Sequence, residues 1–405
     1  MTKKSDAPAI RFKGFSDAWE QRKLSDLIIE YKETVDSDCT LPVLTSSKTE
    51  GVVLQEEHFG RVQNHDITGY NILPRNYCTY RNRSDGVDFT FNINRCCDKG
   101  IISKFYPVFY GNNSDIFFIS MVLNYCDEVV REIAYTCTGT GQKVLSFLDL
   151  QKMNIRVPSY DEQKKISQYF EQLDNLITLH QRKFEKLTNV KKSMLEKMFP
   201  QNGSSYPEIR FKGFTDPWEQ RKLSEIADKV TEKNSGLQYV ETFTNSAEFG
   251  IISQRDFFDH DIAKLSSLDE YYIVKNEDFV YNPRISTSAP VGPINRNKLG
   301  RTGVMSPLYT VFRPHDVDTT YLEHFFKCAY WHSFMNFNGD SGARSDRFSI
   351  KNDVFFQMPI PLPHIDEQRK IGELLTCLDH LITLHQRELE KLQNIKKSML
   401  EKMFV

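Results

Sequence analysis

The segment DEQKKISQYFEQLDNLITLHQRKFEKLTNVKKSMLEKMFP, residues 161–200, returns with few changes as DEQRKIGELLTCLDHLITLHQRELEKLQNIKKSMLEKMFV at residues 366–405. Apolar residues in both copies recur at heptad spacing, with a second set three residues on, which predicts one long amphipathic helix per copy. Forty helical residues would extend roughly 60 Å. Because each helix carries a single apolar seam, the two helices are natural partners for one another. The seam residues are Ile166, Leu173, Leu176, His180 and Leu187 in the first copy and Ile371, Leu378, Leu381, His385 and Leu392 in the second.

Both helices are predicted to begin just after a proline. Ser159 and Glu162 have the spacing of a capping box at the first of these starts. The second copy has His364 in place of the serine, so Asp366 is the predicted cap there. The histidine shared by both seams is interpreted as a hydrogen-bonded or half-exposed seam residue, with a metal or catalytic role as the alternative.

A shorter repeat precedes each variable stretch of the chain. IRFKGFSDAWEQRKLSDL at Ile10–Leu27 returns as IRFKGFTDPWEQRKLSEI at Ile209–Ile226, whereas residues 25–157 and 224–362 differ in most positions. The chain therefore has the pattern of a tandem, pseudo-twofold scaffold that holds two different inserts. The aromatic residues of the short repeat belong to the constant part, so they are predicted to pack and not to stack on a ligand. These residues are Phe12, Phe15 and Trp19 in one copy and Phe211, Phe214 and Trp218 in the other.

The linker between the first long helix and the second short repeat bears on how the helices pair. It is short and rich in Gly, Ser and Pro, so the second insert must begin near the far end of the first helix. An antiparallel pair of helices, as in a coiled coil, would then place one globular unit at each end. The predicted boundaries are 1–157 for the first globular unit, 158–200 for the first helix, 201–208 for the linker, 209–362 for the second globular unit and 363–405 for the second helix.

The two inserts share a plan although their sequences differ. ILPRNYCTYRNR at residues 72–83 corresponds to IVKNEDFVYNPR at residues 273–284, and GIISKFYPVF at residues 100–109 corresponds to GVMSPLYTVF at residues 303–312. Apolar and β-branched runs bounded by Asn, Asp, Gly and Pro predict strands joined by turns. Tyr80, Tyr106, Tyr281 and Tyr309 lie in these runs and are predicted to pack there.

Each insert continues with a helical pattern and then a polar loop. The helical patterns fall near residues 117–133 and 321–335, and the glycine-rich loops are CTGTGQK at residues 137–143 and NGDSGAR at residues 338–344. Each insert is therefore predicted to form a small α/β (α+β) domain with a mixed or antiparallel sheet.

The composition is that of a globular protein without a strong charge bias. Of the 405 residues 40% are hydrophobic and 26% are charged, and the net charge is −2, so any DNA-binding face must come from local clusters of Lys and Arg. The eight cysteines include no CxxC pair, which favours free thiols in a reducing compartment over a zinc site or disulfide framework. The longest apolar stretch, residues 116–123, is far too short to span a membrane, and the N-terminus has no apolar signal segment. A cytoplasmic protein with no membrane association is expected.

Taken together, these features resemble the specificity subunit of type I restriction–modification systems. The resemblance rests on IRFKGF followed by WEQRKLS, on the loops GTGQK and SGAR, and on a proline followed by DEQ(K/R)KI and a helix ending in KKSMLEKMF. It covers nearly the whole chain, in the family's order of target-recognition domain, spacer helix, target-recognition domain and spacer helix. It implies a non-catalytic protein in which each target-recognition domain reads one half of a bipartite site in double-stranded DNA, while the helices set the gap.

The resemblance also implies the partners and their cofactors. Two modification subunits would dock on the helices, bind S-adenosylmethionine and methylate adenine. Restriction subunits, which use ATP and Mg²⁺, would translocate and cut DNA in phage defence. No cofactor or metal is expected on this chain itself.

The contrast between constant repeats and variable inserts has a physical reason under this interpretation. Side chains that reach base edges read sequence, whereas phosphate contacts set the register, so new specificity needs a new surface on an unchanged frame. Because the inserts differ, the two half-sites are expected to differ. Arg and Lys suit guanine and phosphate, and Asn and Gln suit adenine, although each predicted residue would equally suit a solvated surface. The predicted DNA contacts are Lys48, Arg61, Arg81, Asn82, Arg83, Lys104, Gln142 and Lys143 in the first insert and Gln254, Arg255, Asn282, Arg284, Arg344 and Arg347 in the second.

A lysine cluster is repeated near the end of each long helix. It has two interpretations: it neutralises phosphates over the central gap, or it forms a solvated face that suits the negative end of the helix dipole. The cluster consists of Lys191, Lys192 and Lys197 in the first copy and Lys396, Lys397 and Lys402 in the second.

Two other classes of function fit the sequence less well. A self-contained DNA methyltransferase or nuclease would need a cofactor loop and a base-pocket motif, but TGTGQ at residues 138–142 is a weak glycine match and Asn282-Pro283-Arg284 lacks the second proline and the aromatic residue. The phosphate loop GxxxxGK(S/T) of ATP-driven motors does not occur. A coiled-coil adaptor that binds only proteins would share the helices, but it gives no reason for two divergent inserts of equal plan.

Overall fold

The computed structural model describes residues 8–62, 66–201, 203–258, 265–340 and 346–404. Its contacts divide the chain into two compact units, the first formed by residues 1–180 and 387–405 and the second by residues 181–386. Each long helix therefore contributes one part to each unit. Within the described ranges, no helix combines the length and apolar character that a membrane span requires.

The first unit is an α/β domain in which the named strands pair antiparallel, with a central sheet in the order β2-β10-β6-β8. Its strands are β1 (Glu20–Lys23), β2 (Ile28–Tyr31), β3 (Leu44–Ser47), β4 (Gly51–Leu54), β5 (Asn71–Pro74), β6 (Cys78–Thr79), β7 (Arg83–Ser84), β8 (Asn92–Ile93), β9 (Lys99–Ile102), β10 (Val108–Gly111), β11 (Lys143–Val144) and β12 (Asn154–Val157). Its helices are α1 (Leu24–Leu27), α2 (Gln55–Phe59), α3 (Ile116–Tyr125), α4 (Asp127–Thr136) and α5 (Phe147–Lys152), followed by the long helix α6 (Tyr160–Lys197).

The second unit repeats this plan, with an antiparallel central sheet in the order β14-β21-β18-β19. Its strands are β13 (Glu219–Lys222), β14 (Ala227–Lys229), β15 (Phe243–Ser246), β16 (Gly250–Ser253), β17 (Tyr272–Val274), β18 (Phe279–Tyr281), β19 (Ile294–Arg296), β20 (Gly303–Met305), β21 (Thr310–Pro314) and β22 (Pro359–Leu362). Its helices are α7 (Gln254–Phe258), α8 (Thr319–Lys327), α9 (His332–Asn338), α10 (Asn352–Phe355) and the long helix α11 (Ile365–Lys402). The predicted α/β plan, with matched strands and a helical stretch in each insert, is confirmed. The helical stretch is broken into two helices in both units.

Two of the three aromatic residues of the short repeat pack as predicted in each unit, whereas the third, Phe15 or Phe214, is half-exposed and outside the hydrophobic clusters. The Trp19 ring is buried and meets Phe118 edge-on at 5.6 Å between centroids, and Phe12 meets Tyr169 in the same way at 5.6 Å. In the second unit, Trp218 is buried against Tyr321 at 6.1 Å. Burial of each such ring stabilises its unit by roughly 1.5–3 kcal/mol. Tyr80 and Tyr281 are also buried, and Tyr106 and Tyr309 are half-buried.

The last residues of each long helix close a hydrophobic core. Phe199, which follows α6, is fully buried in the second unit and lies 5.5 Å from the Tyr321 ring. Phe404, which follows α11, packs in the first unit at 5.8 Å from Phe118 and 6.2 Å from Phe170. The Met and Phe of the repeated sequence KMF therefore belong to the core in both units.

Within each unit the two long helices pack antiparallel. In the first unit, Leu392 and Met399 from the end of α11 pack on the cluster that contains Ile166 and Leu173 from the start of α6. In the second unit the end of α6 packs in the same way on the start of α11. Of the predicted seam residues, Ile166, Leu173, Ile371 and Leu378 are buried, His180, Leu187, Leu381, His385 and Leu392 are half-buried, and Leu176 keeps 44% of its surface exposed.

The two helices start with different caps. The Ser159 hydroxyl accepts a hydrogen bond from the Glu162 amide at 3.4 Å, as the capping box requires, although the Glu162 carboxylate is directed elsewhere. The prediction that Asp366 caps the second helix is wrong, because Asp366 lies inside the first turn of α11. Its amide donates instead to Nδ1 of His364 at 3.4 Å. A histidine ring nitrogen can accept from a free N-terminal amide as a serine oxygen does.

Candidate nucleic-acid interface

In the first unit, antiparallel pairing of β7 with β11 joins the segment that contains Asn82 and Arg83 to the end of the glycine-rich loop. Val144 pairs with Arg83 in this ladder. The Asn82 amide donates to the Phe105 carbonyl at 2.9 Å, and the Asn82 carbonyl accepts from the Leu145 amide at 3.0 Å. Three segments that are distant in sequence thus meet at Asn82, which is itself only half-exposed.

Several predicted contact residues of this unit line one cleft of about 260 Å³. Lys48, Arg81 and Arg83 are exposed or half-exposed on it, together with Ser84 and Tyr106. The Arg83 guanidinium lies over the Phe105 ring at 4.6 Å, a cation–π contact that fixes the direction of the arginine. The cleft can therefore present positive charge and aromatic surface to a nucleic acid.

Acidic residues hold part of this positive charge in place. Lys48 forms an ion pair with Asp88, and this hydrogen bond lowers the pKa of Asp88 below its usual value. The Gln142 amide donates to Asp85 at 3.3 Å. Both pairs are exposed, so an incoming phosphate would compete with Asp88 and Asp85 for partners that are weakly held.

The second unit builds the corresponding junction with two arginines. Arg284 and Arg347 face each other across an antiparallel bridge, and both are exposed. The Phe348 amide donates to the Pro283 carbonyl at 2.7 Å, as the Leu145 amide does to Asn82 in the first unit. Arg347 also lines a cleft of about 440 Å³ with Lys229, Tyr309 and Asn352.

Two predicted DNA contacts in this unit, Asn282 and Gln254, form hydrogen bonds with backbone groups of the protein itself. The side-chain amide nitrogen of Asn282 donates to the Asn245 carbonyl at 2.7 Å. The side-chain oxygen of Asn282 accepts from the backbone amide of Arg284 at 3.0 Å, which orients this arginine. Gln254 is buried, and its side-chain amide nitrogen donates to the Phe243 carbonyl at 3.4 Å. The structure thus gives both residues a role in loop geometry, and a base contact would require them to leave these partners.

The other predicted contacts are spread over the surface. Lys104, Lys143, Arg61 and Arg255 are exposed or half-exposed, with Arg61 just beyond α2 and Arg255 in α7. Arg344 lies outside the described residues.

The sequence analysis missed a clamp that joins each short repeat to its long helix. In the first unit the Arg11 guanidinium donates to both carboxylate oxygens of Glu162, each at 2.6 Å. In the second unit Arg210 and Glu367 form the same bidentate pair, with both distances 2.8 Å. The carboxylates are almost fully buried, and their hydrogen bonds raise the pKa of Arg11 and of Arg210. The signal was present, because both partners recur in both copies.

The neighbouring glutamine completes the clamp. The Gln163 side chain accepts from the Asp115 amide at 3.0 Å and donates to the Pro158 carbonyl at 3.0 Å. Asp115 is the N-cap of α3, so the glutamine ties the start of an insert helix to the start of the long helix. In the second unit the corresponding residues are Gln368, Asp318 and Pro363, at 2.9 and 2.8 Å.

The repeated lysine clusters are partly used to pair the helices. Lys396 of α11 forms an ion pair with Asp174 of α6 at 2.6 Å in the first unit. Lys191 of α6 pairs in the same way with Asp379 of α11 in the second unit. These ion pairs between helices favour the antiparallel register and occupy one lysine of each cluster. In the described part of the chain, no group of three or more His, Cys, Asp or Glu side chains is placed to hold a metal ion.

Comparison with known proteins decides the family. The family model of the type I restriction modification DNA specificity domain matches residues 98–189 and 215–394, which is more than half of the chain and includes part of the first insert and all of the second. The chain belongs to this family. The fold of the chain is also similar to that in the crystal structure of a type I restriction–modification S subunit from M. genitalium. That similarity has a TM-score of 0.57 and 12% identity over 98% of this chain and 99% of that one, so it shows the fold alone.

Two curated relatives of this specificity-domain protein come from Methanocaldococcus jannaschii. The type I restriction enzyme MjaVIII specificity subunit is 25% identical over 65% of this chain. The putative type I restriction enzyme MjaX specificity subunit is 24% identical, also over 65% of this chain. The match spans 64% and 61% of the lengths of these relatives.

Proposed function

We propose that this chain is the non-catalytic DNA sequence-specificity subunit of a type I restriction–modification complex. The observation that carries the proposal is the family match in both halves of the chain, on two units that share a frame and differ in surface. Each unit would read one half of an asymmetric bipartite site in double-stranded DNA. The complex would act in the cytoplasm.

The geometry supports a DNA-contacting role for the β7–β11 pairing in the first unit and for the Arg284–Arg347 bridge in the second. Arg83, which pairs with Val144 in the first unit, and Arg284, which lies opposite Arg347 in the second, are exposed cations at the same place in the fold. Arginines suit both phosphate and guanine, and side chains around them differ between the units, as different half-sites require.

The partners follow from the proposed function. Two modification subunits would dock on the long helices and bring S-adenosylmethionine, and restriction subunits would bring ATP and Mg²⁺. The apolar Leu179 and Leu384, which occupy the same position of the repeated LITLHQR, are 45% and 44% exposed and would suit such contacts. The duplication of this position supports two copies of one partner.

Reconstitution tests the proposal. The purified chain alone should transfer no methyl group from labelled S-adenosylmethionine to DNA, and the chain with its modification subunit should methylate adenine at one bipartite site. Sequencing for methyladenine gives that site directly. Methyl transfer by the isolated chain, or methylation by the complex without sequence preference, would refute the assignment.

A further inference from the structure

Two aromatic side chains are far more exposed than any other large hydrophobic residue that the structure describes. Tyr135 exposes 88% of its surface and Phe337 exposes 89%, whereas the next value is 70%. Tyr135 belongs to α4 in the first unit and Phe337 to α9 in the second. Single exposed apolar residues are common on protein surfaces. What needs an explanation is that these two occupy the same place in two inserts that differ in most of their sequence.

Three features establish that the positions are equivalent. Each aromatic residue follows a buried anchor by two positions, Ile133 in α4 and Met335 in α9. The carbonyl of each anchor accepts the bond that closes the helix, from the Cys137 amide at 3.1 Å and from the Gly339 amide at 2.9 Å. Two positions along a helix correspond to about 200° of rotation, so each ring lies opposite the buried face.

The chain leads directly from each aromatic residue to the predicted reading surface. Three residues after Tyr135, Thr138 forms a bridge with Val144, which in turn pairs with Arg83. Three residues after Phe337, Asp340 forms a bridge with Ser349. That segment also contains Arg347, which faces Arg284. Both aromatic residues thus stand at the helix end from which the loop to the basic junction departs.

We infer that Tyr135 and Phe337 are DNA-contacting residues, each packing its ring on a nucleotide of the half-site read by its own unit. This inference rests on the proposed function and adds an apolar contact to the charged ones. An aromatic ring can pack on the sugars along a duplex whatever the base, which explains why an aromatic residue recurs while the surrounding loop changes. A partner protein is the competing occupant, and the experiment separates the two.

The experiment uses the full chain assembled with its modification subunits and a duplex that carries the methylated site. Tyr135→Ala and Phe337→Ala should each weaken binding about 10- to 150-fold, the range for loss of one buried aromatic side chain. Tyr135→Phe should bind as the wild type does, because the ring is retained. Leu148→Ala and Val240→Ala are matched controls, since these residues are 67% and 65% exposed in the first and second units.

Salt dependence and fluorescence give readouts that a general structural defect would not reproduce. The alanine variants should keep the wild-type slope of log affinity against log salt, because no phosphate contact is removed, while Arg83→Ala should reduce it by about one. The three native tryptophans, Trp19, Trp218 and Trp331, are buried. An exposed Tyr135→Trp or Phe337→Trp substitution should therefore add emission that the cognate duplex quenches.

The outcomes are distinguishable. Weaker DNA binding with intact assembly supports the inference. Wild-type DNA binding by both alanine variants overturns it without affecting the proposed function, and so does a loss of modification-subunit assembly with normal DNA affinity in the assembled fraction. If the wild-type complex itself shows no sequence preference, the proposed function fails first.

Discussion

The clamp between Arg210 and Glu367 gives the most direct test of how the second unit is held on its helix. The pair is bidentate at 2.8 Å, with 14% of the arginine side chain and 1% of the glutamate side chain exposed. Glu367→Gln keeps the shape of the side chain and removes its charge, which leaves the guanidinium without a counter-ion. Breaking a buried pair in this way costs about 3–5 kcal/mol. Because Arg210 keeps some contact with water and glutamine can still accept a hydrogen bond, we expect about 2–3 kcal/mol.

Calorimetry and hydrogen exchange measure this change. In a unit of this size, 1 kcal/mol shifts Tm by about 2–4 °C, so Glu367→Gln should lower the melting temperature of the second unit by roughly 5–10 °C. In this variant, amide hydrogen exchange should accelerate most in residues 209–218, which the clamp ties to α11. Glu373→Gln, at an exposed position of the same helix, is the matched control.

A double-mutant cycle tests the physical reason. Arg210→Met combined with Glu367→Gln removes both charges, so the double variant should lose less stability than the sum of the two single variants. Glu162→Gln should have the same effect in the first unit, because Arg11 and Glu162 have the same geometry. A shift in Tm for Glu367→Gln no larger than for Glu373→Gln would show that the clamp does not hold the repeat.

Two further predictions concern charge. Arg284→Ala and Arg347→Ala should each weaken DNA binding and reduce the slope of log affinity against log salt by about one, as measured by titration at several salt concentrations, and an unchanged slope would place these residues away from the phosphates. The second concerns His324, whose pKa is lowered from 6.5 to about 4. Burial is the largest cause, Lys327 and Lys191 act in the same direction, and Asp379 and Glu323 oppose them. The unfolded chain binds a proton near pH 6.5 while folded His324 stays neutral until about pH 4, so stability should fall by on the order of 2–3 kcal/mol as pH decreases through this window. Denaturant titrations from pH 7 to pH 4.5 should show a smaller loss in His324→Gln than in the wild type or in His380→Gln at an exposed site, and equal losses in all three would contradict the assignment.

The elements that sequence predicted well are those whose signal is local. Heptad spacing in residues 161–200 and 366–405 and alternating apolar runs between turn residues depend on neighbours a few positions away, and they predicted the long helices and the strands. The cap of α11 was missed although it is local, because histidine is an uncommon acceptor at that position. An assignment by residue type, however, assumes that every polar side chain in a loop is exposed. Gln254 and Asn282 show the limit, since only the tertiary packing decides that their amides bind backbone carbonyls.

The clamp was missed for a different reason. The clamp also helps to explain how the inserts can differ. Arg11 and Glu162 are separated by the whole first insert, so no local pattern relates them. Gln163 binds the backbone amide of Asp115 and the backbone carbonyl of Pro158, not their side chains. A backbone amide is present for every residue except proline, so the glutamine recognises where an insert helix starts. In the first unit Ser167 of α6 also donates to the Asp115 carboxylate, whereas the second copy has Gly372 at that position. An insert that begins a helix at that point satisfies the glutamine contacts, and these contacts place no demand on the side chains of the reading surface.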